Sequence, residues 1–247
     1  MRRLFAGIAF LSRVPVPGAA TFDAADVGRA TLAFPLVGAF LAGLLVVARH
    51  AVYPLLPPTV AAFLLLAVSA LLTGALHLDG LADMADGFGG GRTKEDVLRI
   101  MRDHLIGAYG GVALLLVVGL KASALAALLE RGQADAALVA SMVLGRWASV
   151  PMGRFLPYAR RSGGLGTAIT DYVGWTELVG ATLLALGLGL GVLGPVRGAA
   201  AVVLVACVSA LQGAWCMKKI GGITGDTLGA NTEVCEVLVL VLVLALG

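Results

Sequence analysis

Charge is scarce in this chain of 247 residues: Asp, Glu, Lys and Arg together make up 13% of it. Soluble domains carry about 25% charged residues, so at 59% hydrophobic and a mean hydropathy of +0.95 the chain belongs in a bilayer. Cysteine is equally sparse. Cys207, Cys216 and Cys235 form no CxxC pair and sit in or beside apolar runs, which excludes a disulfide framework or thiolate metal site and leaves packing. Aromatics are 6% and the net charge only +3, with no basic strip interleaved by aromatics, so nucleic acid is excluded as a partner. The apolar runs do not alternate, which excludes a transmembrane barrel. Lipid then leaves helices alone.

Hydropathy places spans at Ala30–Ala48, Val60–Leu76, Gly107–Leu129, Ala134–Val150, Leu178–Gly194 and Gly198–Met217, with a short last run from Val234 to Leu246. That last run crosses only if it borrows Leu228–Glu233. Met1–Ala20 resembles a signal peptide, but Arg13 and Pro15-Val16-Pro17 interrupt it, and an interfacial helix is the preferred reading. The expected class is an all-α integral membrane protein, a single domain over residues 1–247. It is a polytopic bundle of six to seven transmembrane helices with an N-terminal interfacial helix.

The cations order the loops. Arg2, Arg3, Arg13 and Arg29 precede the first span, and Arg49 alone follows it. Arg92, Lys94, Arg99 and Arg102 come next, then Arg131 alone, then Arg154, Arg160 and Arg161, then Arg197, then Lys218 and Lys219. This 4-1-4-1-3-1-2 alternation predicts seven crossings in the cell inner (cytoplasmic) membrane, with the N-terminus and all long polar loops in the cytoplasm, Gly163–Gly164 among them.

Against this background His77-Leu78-Asp79-Gly80-Leu81-Ala82-Asp83-Met84-Ala85-Asp86-Gly87 stands out. Asp79 and Asp83 are four apart and Asp83 and Asp86 three, so on a helix the three carboxylates share one face, with Cβ atoms about 5–6 Å apart. Such like charges repel by about 0.2–0.5 kcal/mol per pair in water, and more near lipid. A cation between them relieves this, and oxygen ligands alone suit Mg²⁺ or Mn²⁺. The alternative is a solvated helix end, in which capping accounts for one Asp but not three.

A second polar segment is Gly221-Gly222-Ile223-Thr224-Gly225-Asp226-Thr227-Leu228-Gly229-Ala230-Asn231-Thr232-Glu233, whose glycines allow close approach to phosphate. Alone it reads as a turn; its place on the same membrane face as Asp79–Asp86 favours a site. Arg146 lies within the fourth apolar run and either faces a partner or snorkels. Lys121, mid-span, pairs with an acid the sequence does not identify. Arg102-Asp103-His104 is a charged helix start or a membrane anchor, and His77 a base or an interfacial residue.

Together these residues resemble the adenosylcobinamide-GDP ribazoletransferase (cobalamin-5′-phosphate synthase) family. The matching pieces are Arg13 to Pro17, Phe34 to Gly38, His77 to Asp83 with Asp86-Gly87, Ile100 to Asp103, Gly107, Gly110, and Gly222 to Gly229 with Glu233. The chain has His104 where the family pattern usually has Ser. The resemblance implies that the 3′-hydroxyl of α-ribazole or its 5′-phosphate attacks the phosphate on the cobinamide arm of adenosylcobinamide-GDP, with Mg²⁺ assistance and release of GMP. Asp79, Asp83 and Asp86, with Asp226 as a fourth, are the expected metal ligands, and charge and membrane side make Glu233 or Asp103 the candidate base. Arg102, Arg146 and Lys219 are candidates to hold phosphate, with His77, Gly225, Thr227 and Asn231 completing the substrate-binding set. The acidic cluster is also similar to the motif of CDP-alcohol phosphotransferases, but Asp83 stands where that motif has Arg.

Two rivals remain at this stage. A phospholipid headgroup transferase would use the same charge chemistry, and an ion-coupled carrier would place acids near mid-membrane. The sequence is compatible with a homo-oligomer.

Overall fold

The computed structural model describes residues 1–160 and 166–247, so Arg161 and Gly163–Gly164 lie outside the described residues. Twelve α-helices carry the described chain, with no strand beyond one isolated bridge between Tyr158 and Ile223. In order they are α1 (Arg2–Leu11), α2 (Ala24–Ala30), α3 (Phe34–Val52), α4 (Pro58–Thr73), α5 (Leu76–Gly90), α6 (Lys94–Ile100), α7 (Ala108–Glu130), α8 (Ala134–Phe155), α9 (Thr167–Tyr172), α10 (Trp175–Leu193), α11 (Pro195–Ile220) and α12 (Gly225–Leu246).

Among the described residues six stretches are long and apolar enough to cross a membrane, and a seventh if α4 and α5 count together. The protein is thus an all-α polytopic membrane protein. The last crossing does recruit Leu228–Glu233, because Thr224 caps α12 ahead of the acidic residues: its Oγ1 accepts from Thr227 N. α8 is the central helix, with 83% of its apolar window buried against 22% for α10. Its buried face is built of small residues such as Ala137, Ala140, Ser141 and Ala148, which let neighbours approach closely. α3, α10, α11 and α12 pack around it, and Trp147 Nε1 donates to Thr182 Oγ1 of α10 at 3.0 Å.

The crossings run antiparallel and define two ends. At one, Arg49 Nε and His50 Nε2 reach Asp135 at 3.5 and 3.1 Å, and Arg131 donates to the Leu244 carbonyl at 2.8 Å. The other end gathers α1, α5, α9, the end of α8 and the start of α12. With ten residues α1 is too short to cross. Arg2–Asp26 and Arg3–Glu177 ion pairs and a Phe10–Phe34 stack hold it to the bundle.

The main departure from hydropathy is at the second span. α4 has sixteen residues, about 24 Å at 1.5 Å per residue. It stops because Gly74 and Ala75 both turn left-handed, at φ 65° and 58°. Ala75 N donates back to the Ala70 carbonyl and Arg13 N to the Leu72 carbonyl, satisfying the freed end. α5 then leaves at 93°. The acidic segment therefore lies across the bundle instead of continuing the span.

Candidate active site

α5 lies against the first turns of α12, and Gly80 makes that contact possible. A Cβ at Gly80 would stand 2.7 Å from the Asp226 carbonyl oxygen and 2.9 Å from its Cα. Two acidic segments far apart in sequence thereby face each other. Asp83 feels the charge of Asp79, Asp226 and Asp86 on one side and of Arg160 on the other. Asp79 is exposed and Asp83 and Asp226 half-buried, so all three keep access to solvent.

Beside them lies a cavity of about 210 Å³. His77 and Asp79 of α5, Arg146 and Ser149 of α8, Gly225, Asp226 and Thr232 of α12, and Tyr158 and Arg160 supply its polar lining. Arg160 Nη2 pairs with Asp226 Oδ2 at 2.6 Å and approaches the Met101 carbonyl at 3.4 Å. The segment after α8 is held there by a pair of bonds, Ile223 N to the Pro157 carbonyl and Ala159 N to the Ile223 carbonyl, both 2.8 Å. Burial pushes the Tyr158 phenol up from its ordinary value, although Arg160 and the Gly225 N–H favour the charged form. Tyr158 therefore remains a neutral donor at physiological pH.

Neither Tyr158 nor Arg160 was singled out from the sequence, where Arg160 counts only towards topology. The available signal is Tyr158-Ala159-Arg160-Arg161 at the end of a span on the acidic face.

The structure gives several of the expected site residues other partners. Asp86 is 8% exposed, and both its oxygens accept from the start of α7, Gly107 N at 2.7 Å and Gly110 N at 2.8 Å. It caps that helix, where the exposed N–H groups and the dipole favour a carboxylate. Glu233 is not an open base: it is buried and bonded to Lys121 Nζ at 2.5 Å. Asp103 lies in an exposed turn and accepts from Leu105 N at 3.1 Å, and neither it nor the exposed Arg102 lines the cavity. Lys219 donates to the carbonyls of Phe88 and Gly91, securing the end of α5. Thr227 closes the capping box of α12. Asn231 donates to Ser209 Oγ on α11 at 2.9 Å, inside a helix interface.

Behind the cavity the buried charges form one balanced group. Lys121 of α7 bonds Glu233 and Glu236 of α12, both at 2.5 Å, and Arg146 of α8 pairs with Glu236. Two cations and two carboxylates balance, which offsets the cost of burying them in an apolar interior. This names the partners of Lys121 and Arg146, and it shows that Arg146 does not snorkel.

As to a metal, no three His, Cys, Asp or Glu side chains among the described residues converge as a coordination shell. The chemistry of the neighbouring Asp79, Asp83 and Asp226 nevertheless fits a hard dication, since all donors are carboxylate oxygens and, among the described residues, Arg160 is the cation that offsets the charge on Asp83.

Fold and site together define a polytopic all-α membrane protein that gathers acids, Arg160 and a half-enclosed cavity at one end of its bundle. The chain belongs to the cobalamin-5-phosphate synthase family, whose family model matches residues 3–244. It is 40% identical over 235 residues to a protein of a Roseiflexus species, covering 94% of this chain and 85% of the relative. Likewise it is 42% identical over 249 aligned positions to one from Sinorhizobium medicae, covering 94% and 92%. A third, from Chlorobium phaeobacteroides, is 38% identical over 241 residues, covering 97% and 96%. All three relatives are named adenosylcobinamide-GDP ribazoletransferase. No solved structure matches. The carrier and phospholipid-transferase readings gain no support from these relatives.

Proposed function

We propose that this protein transfers the phosphocobinamide group of adenosylcobinamide-GDP to the 3′-hydroxyl of α-ribazole or α-ribazole 5′-phosphate. The hydroxyl oxygen forms a bond to the phosphorus carried by the cobinamide arm. The bond from that phosphorus to the bridging oxygen breaks, and GMP leaves with the electron pair. The hydroxyl proton passes to a carboxylate of the cluster, Asp79 being the exposed one. The product is adenosylcobalamin or its 5′-phosphate. Phosphoryl transfer asks a protein mainly for positioning and charge stabilisation, and the cavity offers both. Arg160 and the neutral Tyr158 hydroxyl are placed to donate to non-bridging oxygens. Asp79, Asp83 and Asp226 would hold the cation. When bound there, Mg²⁺ or Mn²⁺ neutralises charge building on the transferred and leaving phosphates.

The observation that carries the reading is the meeting of Asp79 with Asp226 and Arg160 around one cavity, beside Asp83, in a chain related over residues 3–244 to the cobalamin-5-phosphate synthase family. The Lys and Arg alternation supports a cytoplasmic position for this end, where both polar substrates reach it, and a home in the cytoplasmic membrane. The test is GMP release by purified protein in lipid nanodiscs, given adenosylcobinamide-GDP and α-ribazole 5′-phosphate. A CDP-alcohol donor serves as the competing substrate. Turnover of that donor alone would overturn the assignment.

A further inference from the structure

We infer that the half-enclosed cavity is the seat of the acceptor nucleoside, with its aromatic base on an apolar wall built by α1, α3 and α9, and that the corrinoid ring stays outside. This deepens the ribazole-transfer reading above and rests on it.

The first argument is size. At about 210 Å³ the cavity falls below the roughly 300–1,000 Å³ of sites that enclose drug-sized ligands. It can take one flat bicyclic base, and no corrin macrocycle.

The second is the division of its lining. Phe10 and Leu11 of α1, Phe34 of α3 and Ile169 of α9 supply apolar surface, while the charged groups come from α5, α8, α12 and the segment ending at Arg160. Phe10 and Phe34 are stacked, with ring centroids 6.2 Å apart and planes 12° from parallel, so the wall is stiff before any ligand arrives. Its anchoring is independent of the charged cluster, since the Arg2–Asp26 and Arg3–Glu177 ion pairs hold α1 in place. A benzimidazole is flat, uncharged and largely apolar, and it suits such a wall better than guanine with its polar edge or a corrinoid fringed with amides. With the base on that wall, the ribose lies towards Asp79 and Asp226, where its 3′-hydroxyl has to be for attack.

The acceptor therefore binds without the donor, and the apolar wall sets which base is accepted. Full-length protein in nanodiscs, titrated with α-ribazole alone and followed by the fluorescence of its benzimidazole, should show saturable binding. Leu11→Trp, which narrows the wall, should weaken that binding and raise the acceptor KM by ~10-fold or more, the range of a lost apolar contact in a specificity pocket. The KM for adenosylcobinamide-GDP should change less than about twofold, on the same scale. Phe10→Ala, at a half-buried position, is the second variant if the first does not accumulate. It should shift preference from the benzimidazole nucleoside towards an adenine nucleoside. A raised donor KM with an unchanged acceptor KM, or no binding of α-ribazole without donor, overturns the inference while leaving the transfer reaction standing. Absence of GMP release by the wild type with any acceptor would instead overturn the reaction itself.

Discussion

Arg160 Nη2 stands 2.6 Å from Asp226 Oδ2 and so ties the segment after α8 to the first turn of α12. The pair couples the two kinds of charge that a diphosphate substrate must meet, a guanidinium for its oxygens and a carboxylate for its cation. Asp226 also accepts from Thr224 Oγ1 at 3.3 Å, so it stays oriented if Arg160 turns to a substrate.

Arg160→Ala should therefore lower the rate of GMP release by about 10²–10³-fold, the usual cost of losing one preorganised charge-stabilising donor. Arg160→Lys keeps the charge but not the planar fork and should recover only part of the loss. Helical circular dichroism should be unchanged in both. Wild-type rates in Arg160→Ala would remove the residue from the mechanism.

The carboxylates of the acidic cluster should separate into two groups. Asp83→Asn and Asp226→Asn are expected to raise the Mg²⁺ concentration for half-maximal GMP release. Asp86→Asn should leave that concentration unchanged and instead lower stability by about 1 kcal/mol, as loss of a helix cap does. Gly110→Ala tests the same cap, because its Cβ would fall 2.3 Å from Asp86 Oδ2, whereas Gly111→Ala enters open space and should be harmless. Thermal unfolding in detergent, read beside Mg²⁺ titrations, decides between the two roles. A shifted Mg²⁺ requirement in Asp86→Asn would return it to the metal.

The balanced charge group gives a stability prediction. Lys121→Met leaves Glu233 and Glu236 facing Arg146 alone and should cost about 3–5 kcal/mol, the penalty of an uncompensated buried charge. Adding Glu233→Gln restores the balance and should recover most of it, so the two changes will not be additive. Additive losses would show that the contacts are energetically independent.

Orientation is open to direct labelling. In a background lacking Cys207, Cys216 and Cys235, single cysteines at Lys94 and at Gly132 occupy opposite ends of the bundle. An impermeant thiol reagent applied to intact cells should modify the Gly132 site and spare the Lys94 site, and inverted vesicles should reverse the pattern. The opposite outcome would place the cavity on the outer side.

The crossings were legible because an apolar run of about 20 residues has few other readings. Hydropathy erred at Leu76, since two left-handed residues inside the run Leu71–Leu76 leave no trace in an average. Asp79, Asp83 and Asp226 could be picked out because carboxylates are conspicuous in so apolar a chain. Their division of labour could not. Asp86 and Asp83 look alike in sequence, and what separates them is the start of α7, folded against one and not the other. The bond between Glu233 and Lys121 leaves no local trace in the sequence, because the two lie 112 residues apart. Arg160 was hidden for the same reason, with its partner 66 residues off.

The contacts between α5 and α12 also set an order of events during synthesis. α5 is complete at Gly90, but the residue it packs on, Asp226, belongs to the last helix. At about 5–20 residues per second, the ribosome needs roughly seven to thirty seconds to supply that partner. During that interval the nascent protein holds half a site, and Lys121 and Arg146, made within it, have no counter-ions from α12. α12 then arrives carrying Glu233 and Glu236, so its two most expensive side chains meet cations waiting in the membrane. The step that neutralises the interior is the same step that closes the cavity, and a chain cut short before α12 has neither.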